Sequence, residues 1–446
     1  MNHVKEFSFK SALQPFYKII TYFIIDIRRG VSYSTFPGRT FDHTKTEQRG
    51  GHAMKRSLIA AAVIVLATML VSGTLWGQGK YSKETEEWLK QAELGPYESK
   101  SYDEKQLYEK AKLEKEVSVY SYSSRVHQFG KTFQEKFPGI KVNGFDMDST
   151  EIVTKVLAEQ KAGNFVADVI FLKDPATVLH ELLQKGMVFT YVPPDIKPVL
   201  PERFQKPFLV HHVSFDTLIY NTEANKVPPV QSLWDLTKPE WKSRVIFSDP
   251  VKMPEFIEVL ATIVQHGDEM AKEYQRVFGQ PIQLSKGVKN AGYEWILRML
   301  RNDAIIAGST NDVSNAVGQP GQAKPPVGIT AFSRLRDKEK NPKLVFDVSY
   351  DTKPVMGFAT EVIVAIVNRA KHPNAAKLMT RWMMGDEKGG QGYKPYFVIG
   401  NTPVRTDQPA PPGSRTLGQM NIWMADAAFV WDHGQEIRDF WLANLK

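Results

Sequence analysis

The chain of 446 residues contains no cysteine. It therefore forms no disulfide, holds no metal through thiolates, offers no thiol nucleophile and has no N-terminal cysteine for a lipid anchor. The sequence also lacks the Gly-x-Ser-x-Gly turn of many hydrolases and the Walker phosphate loop. Its 49 acidic residues include no pair that the sequence sets apart as a catalytic dyad. We therefore expect a protein that is not an enzyme and that uses no cofactor.

Histidine patterns typical of a metal site are missing as well. His180 and Glu181 begin a zinc-protease motif, but Gln184 stands where the second histidine would have to lie, one helical turn later. His211 and His212 are adjacent in a predicted strand, so their side chains should point to opposite faces and could not share one ion. We expect no metal ligands and interpret these histidines as core or surface residues.

Positive charge is concentrated near the N-terminus. The chain has 57 Lys and Arg against 49 Asp and Glu, but residues 1–77 hold 10 of the former and 4 of the latter. The rest of the chain therefore has a net charge of only +2. This near balance gives no reason to expect a nucleic-acid partner.

Residues 54–77 have the layout of a secretory signal peptide. Lys55 and Arg56 precede an apolar run over residues 58–71, and small residues follow up to Gly77. The run is shorter than the roughly 20 residues of a membrane-spanning helix, so we predict cleavage near Gly73 or Gly77. Because a complete export signal begins at Met54, residues 1–53 are interpreted as an upstream extension. The mature protein is expected to be periplasmic or otherwise extracytoplasmic.

Predicted strands and helices alternate after a charged, helix-prone segment that Gly95-Pro96 interrupts. Single helices between strands indicate βαβ units and a parallel sheet. Two short β-rich runs between residues 207 and 221 have no helix between them, so the chain is expected to cross there into a second α/β lobe. The predicted domains are a helical extension (78–116), the first part of lobe 1 (117–210), mostly lobe 2 (211–345), and a return to lobe 1 with C-terminal helices (346–446).

Three predicted strand-to-helix junctions are rich in hydroxyl groups. The first contains Tyr122, Ser123, Ser124 and Arg125. Hydroxyls and free backbone N–H groups at a helix start form a cradle for an anion. Arg125 in a first helical turn opposes the helix dipole, which is disfavoured unless a negative group lies beside it. A solvated Arg125 is an equally good alternative.

The other junctions repeat this chemistry. Ser149 and Thr150 open the second helix, and Ser309 and Thr310 open a helix in the second lobe. Simple helix capping is the alternative explanation, and for Asp174, which precedes Pro175, it is the favoured one. Ligand sites in open α/β sheets lie outside the carboxyl ends of strands, so these junctions could converge on one cleft.

Several segments carry a family resemblance. Residues 229–236 (PVQSLWDL), 238–244 (KPEWKSR) and 400–405 (GNTPVR) resemble the family 1 extracellular solute-binding proteins, and most closely the ferric-iron-type branch of ABC importers. The resemblance covers residues 117–405. It implies a type 2 periplasmic-binding fold, in which two α/β lobes close on a solute in a central cleft. It also implies a monomer that delivers the solute to an ABC permease in the membrane.

The resemblance places ligand contacts at the same junctions, and one departure bears on the ligand. Ferric members typically present two adjacent tyrosines, whereas this chain has no Tyr-Tyr pair, and residues 328–333 around Thr330 contain no tyrosine. We therefore expect an anionic organic solute, phosphorylated or carboxylated, with ferric ion as the alternative. An exported enzyme and a sensor-feeding module on the same fold are further alternatives. The expected ligand-binding residues are Tyr122, Ser123, Ser124, Arg125, Ser149, Thr150, Asp174, Ser309, Thr310 and Thr330.

Overall fold

A computed structural model describes residues 81–253 and 255–445. The predicted upstream extension (1–53) and signal peptide (54–77) lie outside these residues, as do the first residues of the helical extension. Among the helices described, none combines the length and the apolar character that crossing a membrane requires.

The first part of the described chain alternates strands and helices, as the sequence predicts. Two helices precede the first strand, and each begins at a side-chain cap, Ser82 or Asp103. The elements are α1 (Lys83–Ala92), α2 (Glu104–Glu114), β1 (Glu116–Ser121), α3 (Val126–Lys136), β2 (Lys141–Asp146), α4 (Ser149–Ala162), β3 (Val169–Leu172), α5 (Pro175–Thr177) with a π-helical continuation (Val178–Leu183), and β4 (Val188–Phe189).

The second part begins with one long strand where the sequence predicts two short β-rich runs. No turn interrupts this strand, so that prediction was wrong. The elements are β5 (Leu209–Asn221), β6 (Val245–Ser248), α6 (Glu255–Gln265), α7 (Gly267–Phe278), α8 (Ala291–Arg301), β7 (Ile305–Ala307), α9 (Thr310–Gly318), β8 (Val327–Ala331), α10 (Asp337–Lys340), β9 (Phe346–Val348), β10 (Gly357–Val367), α11 (Pro373–Met383), β11 (Thr402–Pro403), β12 (Ile422–Met424) and α12 (Ala427–Asn444).

Two parallel groups of strands are joined by two long antiparallel strands. Within the described residues the main strand order is β2-β1-β3-β10-β5-β8-β6-β7. β1 pairs in parallel with β2 and β3, and β6 pairs in parallel with β7 and β8. β10 is antiparallel to both β3 and β5, and β5 is antiparallel to β8. We call the group of β1, β2 and β3 with its helices the first half, and the group of β6, β7 and β8 with its helices the second half.

Two apolar clusters support this arrangement. In the first, Phe129 and Phe133 lie on one face of α3 and are buried together with Phe137, which directly follows the helix. The second is built around Trp234 and Trp295, whose indole N–H groups donate to the carbonyls of Met270 and Leu233, both at 2.8 Å. Because each buried indole N–H has a partner, these two tryptophans serve packing.

A bulge in β5 contradicts the prediction for the two histidines. His212 lies opposite Val362 and Val210 lies opposite Ile363, so His211 is an extra residue in the ladder. An extra residue breaks the alternation of side chains between the two faces of a strand. Both imidazole rings therefore lie on the same side, with their Nδ1 atoms 2.8 Å apart. The expected opposite orientation was wrong for this reason.

Candidate functional site

A cavity of about 1400 Å³ lies at the carboxyl ends of strands from both halves. Residues that follow β1, β2 and β3 line one part of it, and residues that follow β6, β7 and β8 line another. Ser214 and Asp216, two positions apart on β5, contribute the same face of that strand to its wall. The topology therefore brings the predicted strand-to-helix junctions together.

Most of the residues predicted as ligand contacts line this cavity. Asp174 also caps α5, where its carboxylate accepts the Thr177 N–H at 3.0 Å. Ser149 accepts the backbone N–H of Lys173 at 3.2 Å, which ties two of the junctions together. The predicted residues that line the cavity are Tyr122, Ser123, Arg125, Ser149, Thr150, Asp174 and Thr310.

The structure does not bring Ser124, Ser309 or Thr330 to the cavity. Ser124 is exposed. The Ser309 hydroxyl caps α9 by accepting the Asp312 N–H at 3.2 Å, and it donates to the Asp312 carboxylate at 2.8 Å. Thr330 is fully buried in β8, where its hydroxyl donates to the Thr310 carbonyl at 3.0 Å. The local backbone therefore uses the hydroxyls of Ser309 and Thr330.

Arg125 occupies the N-cap position of α3. The helix begins at Val126, one residue later than predicted, and no side chain caps it. The Arg125 guanidinium lies 5.4 Å from the centre of the Tyr396 ring. The hydroxyl of Ser121, which precedes Arg125, forms a hydrogen bond within the loop, because it accepts the Ser123 N–H at 3.1 Å. Arg125 is therefore the charged group that this junction presents to the cavity.

Two arginines that sequence reasoning missed lie across from this junction. Arg334 and Arg336 belong to a 3-10 turn after β8, and both line the cavity. Arg336 Nε donates to the Ser333 carbonyl at 3.3 Å, and Arg334 Nη1 lies 3.4 Å from a carboxylate oxygen of Asp337. Arg334 Nε and Arg336 Nη1 are buried and have no hydrogen-bond partner among the described residues. Burial lowers the pKa of Arg336, and the neighbouring charges of Arg125 and Arg334 lower it further.

A signal for these arginines was present in the sequence. Arg334 and Arg336 stand close behind a predicted strand, at the edge where ligand sites form. We call Arg125, Arg334 and Arg336 the arginine pole.

Tyr122 connects the cavity to the histidine pair. His211 Nε2 lies 2.9 Å from the Met383 carbonyl, so this nitrogen carries the proton and donates. His211 Nδ1 must then accept from His212 Nδ1, which leaves His212 Nε2 as an acceptor for the Tyr122 hydroxyl at 3.5 Å. Burial lowers the pKa of His211 to about 3 and also lowers that of His212, so both rings are neutral. This chain of hydrogen bonds directs the Tyr122 hydroxyl proton toward His212.

Buried carboxylates line another part of the cavity. Asp216 is 5% exposed and Glu258 on α6 is 7% exposed. The Thr360 hydroxyl donates to Glu258 at 2.6 Å. Burial raises the pKa of Glu258 to about 7 and also raises that of Asp216.

Helix α12 lines the cavity and contacts both halves. Trp431 stacks on His180 of the first half, with ring centres 4.7 Å apart and planes at 10°. Further along the helix, Ile437 and Trp441 are buried in the second apolar cluster. The C-terminal helix therefore forms part of the cavity wall and links the two sides of the molecule.

The described residues contain no group of three or more His, Asp and Glu side chains that could hold a metal ion. Among the tyrosines in the described ranges, Tyr122 alone lines the cavity. The side chains that line the cavity can bind a ligand through hydrogen bonds and ion pairs with arginine, lysine, hydroxyl and carboxylate groups.

The fold matches solved structures of periplasmic binding proteins. Iron-bound HitA from Pseudomonas aeruginosa aligns with a TM-score of 0.56 and 17% identity over 74% of this chain and 99% of its own. Apo ferric ion-binding protein A from Pasteurella haemolytica aligns with a TM-score of 0.55 and 15% identity over 74% and 98%. The substrate-binding protein of an ABC transporter from Agrobacterium tumefaciens aligns with a TM-score of 0.53 and 15% identity over 74% and 94%. At these identities the likeness shows a mixed α/β periplasmic-binding-protein fold.

A search of curated proteins gives no match. A family model described as bacterial extracellular solute-binding protein matches residues 128–421, which is more than half of the chain. This match confirms the resemblance that the sequence motifs indicate. The chain belongs to the bacterial extracellular solute-binding protein family.

Proposed function

We propose that the protein is the substrate-binding component of an ABC importer and that its cavity captures an anionic organic solute, phosphorylated or carboxylated. In this proposal residues 117–210 and 346–446 form lobe 1, residues 211–345 form most of lobe 2, and residues 78–116 are a helical extension on lobe 1. β5 and β10 run through both lobes and provide the hinge. Closure around the solute would present a monomer to a permease in the membrane.

The arginine pole is the observation that carries this proposal. Burial lowers the pKa of Arg336, and the neighbouring charges of Arg125 and Arg334 lower it further. Three cations close together, with buried N–H groups that lack acceptors, are unfavourable unless an anion joins them. Guanidinium groups bind phosphate and carboxylate through paired N–H donors. An oxyanion is the ligand that satisfies these groups.

The hydroxyl groups of the first half complement the arginines. Ser123, Ser149 and Thr150 line the cavity near the starts of α3 and α4. Each hydroxyl can donate one hydrogen bond to an oxyanion, and a helix start favours negative charge. Donors from both halves would hold the solute at the interface and stabilise the closed form.

Ferric ion is the alternative that the solved structures raise, since two of them are described as iron-binding proteins. Among the described residues the cavity presents one tyrosine, Tyr122, and two guanidinium groups, those of Arg125 and Arg336, act on it electrostatically. A trivalent cation would be repelled by these groups, whereas an organic anion would be attracted. This arrangement favours the anion.

Thermal-shift and calorimetric titrations of the mature protein would test the proposal. The ligands are a panel of sugar phosphates, phosphonates, di- and tricarboxylates, and ferric ion supplied with and without citrate. We expect stabilisation by at least one organic anion in the absence of iron. Stabilisation by ferric ion alone would contradict the proposal. Mass spectrometry of any solute that remains bound after purification identifies the natural ligand directly.

A further inference from the structure

We propose that the same cavity contains a second subsite, which binds an ammonium group, so that the captured solute is a small zwitterion. Asp216, Glu258 and Asp174 form this subsite, which we call the carboxylate pole. The inference rests on the proposed function, because it takes the arginine pole as the anion site. It adds that the solute carries an amine as well as a phosphoryl or carboxyl group.

Asp216 is the residue that points to a cation. It projects from β5 into the cavity and is 5% exposed. A buried carboxylate without a partner is costly in free energy. No described side chain forms a hydrogen bond or an ion pair with this carboxylate, so a ligand group is the remaining partner.

The surroundings of Asp216 are negative. The charged groups that shift its pKa are Lys173 and Glu255, and those that shift the pKa of Glu258 are Lys173, Asp174 and Glu255. Lys173 is thus the one cation shared among several carboxylates, and it forms no ion pair with them within the described residues. One lysine offsets only part of this negative charge.

Burial raises the pKa of Asp216 and Asp174 and brings that of Glu258 to about 7. Without a ligand these carboxyl groups are held toward their neutral forms. An ammonium group nearby stabilises the ionised forms and reverses part of this effect. Cation binding at this pole would therefore release protons.

The two poles lie in one cavity but are distinct. The charged groups that shift the pKa of Arg336 are Arg125, Arg334, Asp337 and Tyr122, and none of them belongs to the carboxylate pole. Asp216 lies opposite Ala331 in the β5–β8 ladder, and the two arginines follow Ala331 by three and five residues. The poles are therefore close enough for one small molecule to reach both.

The overall charge of the cavity also favours a zwitterion. Its lining includes seven Lys and Arg and six Asp and Glu side chains. A site for a polyanion would carry a clear positive excess, whereas this lining is nearly balanced and separated into poles. An ammonium group suits the carboxylate pole because it donates up to three hydrogen bonds and imposes no fixed coordination geometry.

Matched pairs of probes would test this inference by calorimetry on the mature protein. O-phosphoethanolamine is compared with ethyl phosphate, and β-alanine with propionate, so that each pair differs by the ammonium group. We expect the ammonium-bearing member of at least one pair to bind about tenfold more tightly at a pH above 7, where the carboxylates are ionised. In Asp216→Asn the preference should fall to about twofold or less while ethyl phosphate or propionate binding persists.

Two further variants keep the result interpretable. Glu258→Gln repeats the test if Asp216→Asn fails to fold. Glu361→Gln is the matched control, because burial also raises the pKa of Glu361 to about 7 but Glu361 does not line the cavity. It should keep the full preference for the ammonium-bearing probe.

The outcomes separate the inference from the proposed function. Equal binding of both members of a pair, unchanged by Asp216→Asn, would overturn the ammonium subsite and leave the anion site intact. A preference that survives in both Asp216→Asn and Glu258→Gln would also overturn it. Failure of all four probes to bind would count against both proposals.

Discussion

The two halves of the molecule supply different chemistry to the same cavity. In the first half, strand-to-helix junctions contribute the hydroxyls of Ser123, Ser149 and Thr150, close to helix starts. In the second half, the junction residue Ser309 caps its own helix, and the turn after β8 contributes Arg334 and Arg336 instead. Equivalent positions in a fold therefore need not perform equivalent roles. The two arginines of the second half join Arg125 and the neutral donors of the first half.

The largest expected effect tests whether the second half supplies the essential charge. Arg336→Gln should weaken binding of the preferred organic anion by about 100-fold, because it removes a partly buried guanidinium from the arginine pole. Arg276→Gln is the matched control, since Arg276 pairs with Glu273 outside the cavity. Calorimetric titration measures both. Equal affinities of the two variants would show that the second half contributes no essential charge.

A second prediction concerns the buried carboxylate that the second half contributes. Because the pKa of Glu258 is raised to about 7, the native state holds its proton while the unfolded chain has already lost it above its ordinary value. Stability should therefore fall as pH rises from the ordinary glutamate range to about 7. Glu258→Gln should remove this loss and gain on the order of 2 kcal/mol at a pH above 7, with little gain in acid.

Urea unfolding at an acidic and a mildly alkaline pH measures this difference. Glu361→Gln should show a gain of the same sign, since burial also raises the pKa of Glu361 to about 7. A gain for Glu258→Gln that is the same at both pH values would contradict the assigned protonation state.

A third prediction addresses the hydroxyls of the first half. Ser149→Ala removes a donor from the cavity and the acceptor for the Lys173 N–H. We expect about a fivefold loss of anion affinity, in line with one neutral hydrogen bond. Titration of Ser149→Ala beside wild type measures it. A loss as large as that of Arg336→Gln would mean that the halves do not differ in the way described.

The smallest expected effect on binding is at Ser309. Ser309→Ala should change anion affinity by less than about twofold, because this hydroxyl is committed to α9. The lost cap should instead reduce the free energy of unfolding by about 1 kcal/mol. Thermal unfolding and titration of the same sample distinguish the two effects. Reduced affinity with unchanged stability would restore the symmetric arrangement that the sequence predicts.

Much of the fold could be predicted because it follows from local patterns. The alternation of strands and helices in the first half follows from periodicity and capping residues. The motif around Trp234 indicated the family, and the family model confirms it. These features depend on residues close together in the sequence.

The predictions that were wrong or incomplete concern features that depend on contacts between distant segments of the chain. The bulge at His211 arises from the register between β5 and β10, which no local pattern encodes. The hydrogen bonds of Ser309 to Asp312 determine its role as a helix cap. The arginine pole forms because the turn after β8 approaches Arg125. A run of hydroxyls at a helix start predicts a cap more reliably than it predicts a ligand.

The extra residue at His211 shifts the alternation of side chains between the two faces of β5, the longest strand among the described residues. β5 pairs with β10 over residues 209–217 and with β8 of the second half over residues 216–219. Removing one residue at this point would interchange the two faces beyond it. Ser214 and Asp216 would then turn into the interior while their apolar neighbours Val213 and Phe215 faced the cavity. A single inserted amino acid thus decides which chemistry the strand offers at the centre of the protein.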